Sequence, residues 1–455
     1  MKKIKNIPDA PVILIFIMLL AVIMTWIIPG GEISYDSEND LAQLQFKSVP
    51  HNAFKLWQLP SVMIEAASAS LSVIIVCAMG NCLVHVANSK GAFNNFINLI
   101  CFKKAGKEEH LVVIFTVFFA LLGFVVPPQC FIGFTATMVT LSVSMGYDSI
   151  LGLAMVMLSV ACSAMTGPLN SITAIAQAQV GLPIYSGILV RFGSFVLFLT
   201  VTIIYFVAYA RKIKKDRAKS FMYGMENTMP KAESKDAKSI DFSDKAAWFI
   251  VIAIFAVIAV GSMANNWSAN DISAVMLTGT VLLGFTMRYN LSKIFSFIVE
   301  GVKELTGMYL VIILANTVGI ILKNGNILDT IIYQTSECLQ CLPKFIIPTG
   351  IMVFICIMNV ILPSGAGKAV MLMPIISPIG QAVGMSAQTS VLAYTFGDGF
   401  SNYIIPHDSS TISYLNAAGV PYTIWLKFMG KLFAIWCILG AVILTTLYYT
   451  GYGPF

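Results

Sequence analysis

The sequence is short of charge. Asp, Glu, Lys and Arg make up 11% of its 455 residues, against about 25% in soluble domains. Hydrophobic residues make up 57% and mean hydropathy is +0.82. Most of the chain has no water to face, which excludes a soluble fold. Histidine is scarce, with four in the chain, and neither H-E-x-x-H nor G-x-S-x-G occurs. The common zinc-hydrolase and serine-hydrolase arrangements therefore have no basis here. The nine cysteines are scattered, most of them in apolar runs, where a thiol behaves as a small hydrophobe. Cys338-x-x-Cys341 is the one close pair and has no second pair beside it to complete a zinc site. A phosphate loop is missing too. In PSGAGKAV its first glycine would fall at Leu362, and Ala369 replaces the Ser or Thr. The net charge of +6 sits mainly in loops, so it reports topology and not nucleic-acid binding.

What remains is a succession of apolar runs. Positions 10–29 follow the basic start MKKIKN. The run is too long for a signal-peptide core and lacks an A-x-A site, so it reads as a retained first helix. Positions 30–59 carry Glu32, Asp36, Glu38 and Asp40, an acidic excess suited to the outside. Positions 60–86 span back. The segment 89–110 holds Lys90, Lys103, Lys104 and Lys107 around the amphipathic GAFNNFINLICF, an interfacial helix on the cytoplasmic side. Positions 111–145 are broken at Pro127-Pro128-Gln129, where a straight helix cannot continue; a re-entrant hairpin is the economical reading. Positions 148–181, interrupted by TGPLN, read as a broken helix. Positions 187–210 return to the inside, and RKIKKDRAK fixes the linker 211–245 in the cytoplasm. Spans follow at 246–263, 272–287 and 305–322, with Arg288 and Lys293 in a turn between the last two. An amphipathic stretch at 324–342, a second hairpin at 343–383, a second broken helix at 385–418 and a last span at 426–449 complete the chain.

The two halves, 1–210 and 264–455, match in kind and order. Gly146 aligns with Gly384, Pro168 with Pro406, Gly181 with Gly419 and Pro183 with Pro421, all at one offset. VGLP answers AGVP, Pro127 answers Pro363, and Arg191-Phe192 answers Lys427-Phe428 after a small shift. Each half crosses the membrane an even number of times, so the connecting helix at 246–263 turns the second copy upside down. The expected fold is an all-α polytopic membrane protein. It is an inverted repeat with two re-entrant hairpins and two broken transmembrane helices, an arrangement typical of secondary transporters. The expected setting is the inner membrane of a bacterial cell, with the N-terminus cytoplasmic and the C-terminus outside. The lipid bilayer is one expected partner and a second copy in a homodimer another; nucleic acid is not one.

The stretch 360–411 is rich in Gly, Pro, Ser and charge within apolar flanks. Lys368, Asp398 and Asp408 would each cost roughly 2.5–3.5 kcal/mol at a bilayer centre. They must pair, face water or face a ligand. Ser364, Gly365 and Gly367 offer backbone N–H groups with little bulk, and Lys368 adds a positive charge. That lysine can bind a substrate carboxylate, replace a coupling cation, or form a structural salt bridge to Asp398. Asp398 can bind a substrate amine or carry a proton, at a helix break expected over Gly397-Asp398-Gly399-Phe400-Ser401-Asn402. His407 titrates near neutral pH if unperturbed, which with Asp398 and Asp408 suggests proton or sodium coupling. Ser401, Asn402 and Ser409 can bind polar substrate groups or satisfy broken backbone. The first half supplies Gln129, Asn170, Ser171, Thr173 and Gln177, all uncharged. Glu65 and Glu304 lie near span ends, where acidic groups reach water. No cofactor is expected beyond a coupling ion, H+ or Na+.

N-x-x-x-P-S-G-A-G-K-A from Asn359, then M-P-I-I-S-P, V-L-A-Y-T-F-G-D-G-F-S-N-Y-I-I-P and A-G-V-P-Y-x-x-W-L-K-F, together resemble the YfcC family. That family is related to the DcuC-type C4-dicarboxylate carriers and to basic amino acid antiporters. The resemblance implies that Ser364, Gly365, Gly367 and Lys368 form a hairpin tip facing a break at Asp398, Ser401 and Asn402. The first half departs from the family pattern, reading PPQCF at its hairpin and GPLNS at its break. The expected function is secondary transport of a small carboxylate-bearing metabolite. A basic amino acid comes first and a C4-dicarboxylate second. A membrane-embedded enzyme using Asp398, His407 and Asp408 is the reading from another class.

Overall fold

A computed structural model of the chain describes residues 10–35, 44–50, 52–89, 108–124, 127–167, 170–183, 186–225, 242–265, 267–304, 306–362 and 365–453. The interfacial helix expected around GAFNNFINLICF, the end of the polar linker, Pro168, Pro363 and Ser364 lie outside these residues. The first half contains α1 (Ala10–Ile27), α2 (Leu59–Asn88), α3 (Glu108–Leu122), α4 (Phe134–Ser144), α5 (Ser149–Thr166), α6 (Ser171–Gln179) and α7 (Ile188–Lys215). After α8 (Phe242–Asn265), the second half contains α9 (Ala269–Thr286), α10 (Leu291–Glu304), α11 (Thr306–Asn324) and α12 (Leu328–Gln340). It ends with α13 (Ile347–Ile361), α14 (Gly365–Ala382), α15 (Ala387–Ser401), α16 (Ser409–Ala418) and α17 (Tyr422–Tyr449). The expected hairpins are α3–α4 and α13–α14; the expected broken helices are α5–α6 and α15–α16. Five helices among the described residues are long and apolar enough to cross a bilayer. The chain is a multi-pass helical membrane protein.

Local sequence explains the breaks. Each arm of the broken helices restarts on a short polar residue that accepts a backbone N–H. Asp148 takes the Leu151 N–H at 3.0 Å and Asn170 takes Ile172 at 2.8 Å. Ser386 takes Thr389 at 3.1 Å and Asp408 takes Thr411 at 2.7 Å. Such N-caps satisfy donors the helix cannot. The aligned glycines share a conformation: φ is +84° and +85° at Gly146 and Gly384, and +68° and +64° at Gly181 and Gly419. Side chains resist that left-handed region.

The long arms α5 and α15 form the centre. Every residue of α5 except Ala164 and every residue of α15 except Ala387 is buried. A Cβ on Gly399 would stand 2.2 Å from Met165 Cβ, and one on Gly397 would stand 2.4 Å from the Met352 carbonyl oxygen. Helix α15 thus presses against α5 on one side and α13 on the other. Small residues permit such close approach inside a bilayer, where apolar burial alone does not drive helices together.

Three features depart from expectation. Residues 31–48 contain a small antiparallel hairpin, β1 (Gly31–Tyr35) and β2 (Leu44–Ser48). It rests on α12 through the Phe46–Tyr333 ring stack and the Thr330 hydroxyl donating to Pro29. The turn expected between two spans is α10, an amphipathic helix exposing Leu291, Phe295 and Val299. The second break also falls later than expected. Gly397 to Ser401 are helical, and the chain leaves the helix between Asn402 and Asp408.

The start of the linker is docked. Asp148 accepts hydrogen bonds from Tyr209 Oη at 2.5 Å and Ser220 Oγ at 2.6 Å. Phe221 stacks on Tyr209 at 5.7 Å. Burial pushes the Asp148 carboxyl above the usual carboxylate range, against these donors.

Candidate functional site

The second hairpin and the second broken helix meet at a buried ion pair. Lys368 lies in the first turn of α14 and Asp398 in the last turn of α15. Lys368 Nζ stands 2.7 Å from Asp398 Oδ1. The lysine is 1% exposed and the aspartate 4%. Lys368 also donates to Asn359 Oδ1 and, at 3.3 Å, to the Leu362 carbonyl, which ends the other arm of the hairpin. Asn359 is the hub. Its Nδ2 group donates to the Asp398 carbonyl at 3.1 Å, to Ser401 Oγ at 2.9 Å and to Asn402 Oδ1. Ser401 Oγ donates in turn to the Gly397 carbonyl at 2.7 Å.

Gly365 lies between the halves. A Cβ there would stand 2.7 Å from Ile172 Cδ1 of α6 and 3.0 Å from Asp398 Oδ2. The Tyr394 hydroxyl donates to its carbonyl at 2.5 Å. The start of α14 is therefore held between the short arm of the first broken helix and the long arm of the second. The first hairpin makes the reciprocal contact. Gln129 Nε2 donates to Ser410 Oγ at 2.9 Å, and the Tyr414 hydroxyl donates to the Pro128 carbonyl at 2.5 Å.

The remaining expected residues are placed as follows. Gly367 is in the first turn of α14. Asp408 is 9% exposed and its Oδ1 caps α16. Ser409 opens that helix, and its carbonyl accepts from Ser413 Oγ at 2.5 Å. His407 is fully buried, and neither of its ring nitrogens has a hydrogen-bond partner among the described residues. Thr411 Oγ1 donates to the Asn402 carbonyl at 2.8 Å, which closes the break. In the first half Asn170 caps α6, and Gln177 donates to the Ser186 carbonyl at 2.8 Å. The side chains of Ser171, Glu304 and Cys338 and all of Ser364 lie outside the described residues. Lys368, Asp398, Ser401 and Asn402 are thus brought together, while Asp408 and Ser409 sit at the far side of the break.

Sequence reasoning passed over two residues. Asn359 interrupts the apolar run IMVFICIMNVI of α13, and an amide within such a run is a signal that could have been used. Arg191 appeared only as a partner in the repeat alignment. It falls in phase with Ser194, Phe195, Phe198, Leu199 and Thr202 on the buried stripe of α7, which marks it as inward-facing.

The DcuC family model, described as a C4-dicarboxylate anaerobic carrier, matches residues 7–449. A protein of Haemophilus influenzae with no described function is 24% identical over 97% of this chain and 97% of its own length. A protein of Escherichia coli named "Putative basic amino acid antiporter YfcC" is 22% identical over 98% of this chain and 97% of its own. Among solved structures, the YdaH transporter of Alcanivorax borkumensis aligns over 98% of this chain and 100% of its own, at 14% identity and a TM-score of 0.49. MtrF of Neisseria gonorrhoeae, whose structure is described as illuminating a class of antimetabolite efflux pumps, aligns over 97% and 95%, at 13% identity and the same TM-score of 0.49. The match along nearly its whole length places the chain: it belongs to the DcuC family, and it is a membrane transporter, not an enzyme.

Proposed function

We propose that this carrier moves a small carboxylate-bearing metabolite across the bacterial inner membrane by alternating access, with a basic amino acid as the first candidate. The observation that carries the reading is the buried Lys368–Asp398 pair at the meeting of a hairpin and a broken helix. Separating such a pair in a dry site strands two charges. An amino acid substrate offsets that cost because it brings charges of both signs. Its carboxylate takes Lys368 and the backbone N–H groups at the start of α14, where the helix end favours anions. Its amino or guanidino group takes Asp398, and Asp408, across the break, is the acidic group left for its second cationic group. The carboxylate and one cationic group balance Lys368 and Asp398, and a basic amino acid brings one cationic group more. A dicarboxylate would satisfy Lys368 and leave Asp398 facing a second negative charge.

Two halves in inverted orientation suit this mechanism, and the reciprocal hairpin contacts support that arrangement. Asp398, His407 and Asp408 are the groups through which a coupling proton or sodium ion would act. Transport of C4-dicarboxylates is the second reading, favoured by the description of the family. Counterflow in proteoliposomes separates them. Vesicles loaded with unlabelled arginine, ornithine or succinate are offered labelled arginine or labelled succinate. Trans-stimulated arginine entry supports the amino acid reading; trans-stimulated entry of succinate alone overturns it in favour of the dicarboxylate.

A further inference from the structure

Arg191 is a buried cation that the ion-pair site does not use. It lies in the first turn of α7 and is 1% exposed. Its Nη1 group donates to the Thr166 carbonyl at 3.3 Å and to Thr395 Oγ1 at 3.4 Å. Its Nε and Nη2 groups have no hydrogen-bond partner among the described residues. No acidic side chain among them forms an ion pair with it. An unpaired buried charge is costly. The C-terminal end of α5, where Thr166 sits, offsets part of that cost.

The pattern of used and unused donors carries the argument. Nε and Nη2 share one edge of the planar guanidinium. Together they form a complete two-pronged fork, the geometry that suits a carboxylate. Nη1 alone fixes the group in place. The position is also telling. Thr395 precedes Asp398 by three residues on α15, so the two share a helix face about 4.5 Å apart along the axis. Thr166 ends the long arm of the first broken helix. Arg191 therefore stands at the first break and touches α15 at Thr395, one helical turn before Asp398. It supplies the charge that Asn170, Thr173 and Gln177 do not.

We infer that Arg191 is a second carboxylate-binding residue of the transport site, gripping the substrate from the first half through Nε and Nη2 while Lys368 grips it from the second. The inference rests on the proposed carriage of a carboxylate-bearing substrate. A carboxylate has about four lone-pair positions and can accept from both cations. A substrate held in this way bridges the two halves, so its arrival and departure are felt by both.

The competing role is a staple, in which Nη1 ties α5 to α15 and the free edge does nothing. Arg191→Gln and Arg191→Lys distinguish the two, with exposed Arg211→Gln as the control. Unfolding midpoints are taken in detergent, and counterflow of labelled arginine and labelled succinate is measured in proteoliposomes. For a binding role, Arg191→Gln inserts normally and keeps a substrate-free midpoint at or above wild type, because an unpaired charge has gone. Its KM for the transported substrate rises tenfold or more. Arg191→Lys keeps the charge without the fork and does not restore KM. A wild-type KM in Arg191→Gln overturns the inference. So does a fall in the substrate-free midpoint that Arg191→Lys repairs together with transport. If wild type exchanges neither label, the proposed substrates are wrong, and the Arg191 site is tested separately. Sodium acetate, against sodium chloride at equal ionic strength, should raise the wild-type midpoint and leave Arg191→Gln unmoved. Equal responses of the two proteins refute the site.

Discussion

Removing one member of the Lys368–Asp398 pair should harm the protein more than removing both. A charge left alone in a dry interior typically costs 3–5 kcal/mol, whereas replacing a whole buried pair by apolar residues of similar size is often neutral or stabilising. The surroundings here are unequal. Lys368→Met takes the donor from Asp398, Asn359 and the Leu362 carbonyl together, so it should reach the upper part of that range, about 5 kcal/mol. Asp398→Leu leaves Lys368 still donating to Asn359 and Leu362, so about 3 kcal/mol is expected. The double variant Lys368→Met/Asp398→Leu should recover to within about 2 kcal/mol of wild type, the residue being the unfilled acceptors on Asn359 and Leu362. Independent effects would instead sum to roughly 8 kcal/mol. Equilibrium unfolding in a mild detergent, followed by loss of helical circular dichroism, supplies all four corners of the cycle. A double variant as unstable as the sum of the single ones would refute the claim that the two charges answer each other. The double variant should insert well and transport nothing.

Three further outcomes follow from the geometry. Asn359→Ala removes the amide that joins Lys368 to Asp398, Ser401 and Asn402, so a loss of about 1.5–3 kcal/mol and a drop in exchange rate are expected; unchanged exchange at normal insertion would make Asn359 packing alone. Gly399→Ala places a methyl 2.2 Å from Met165 Cβ, an overpacking cost of about 1–3 kcal/mol, and a midpoint equal to wild type would show that α5 and α15 can part freely. Asp148 has its carboxyl raised by burial, so the folded state favours the protonated form. Its contribution to stability is present below the ordinary carboxylate pKa and is lost as pH rises through the raised value. Asp148→Asn should therefore match or exceed wild type at pH 8 and flatten the decline between acid and neutral pH; equal destabilisation across that range would contradict it.

The broad plan was legible because it is written in strong signals. Long apolar runs mark the spans, prolines and glycines mark the breaks, and charges that cannot face lipid mark the buried ion pair. Lys368 and Asp398 were singled out as partners for each other or for a substrate, and they stand 2.7 Å apart. What escaped was finer. Glycines at 397 and 399 signalled a break, yet they are helical and serve close packing against Met352 and Met165; composition alone does not separate the two uses of glycine. Asn359 and Arg191 each lie singly in apolar helices, and their importance depends on which way the helix faces. The phase of the buried stripe on α7 could have shown that for Arg191. The amphipathic α10 was read as a turn because Arg288 and Lys293 dominated its start.

The most direct test of the central claim is trans-stimulated exchange by reconstituted wild type beside Lys368→Ala and Asp398→Ala, at matched insertion. The account predicts saturable exchange in wild type that rises when unlabelled substrate is loaded inside, and none in either variant. Exchange at the wild-type rate in either variant would remove that residue from the site and contradict the account.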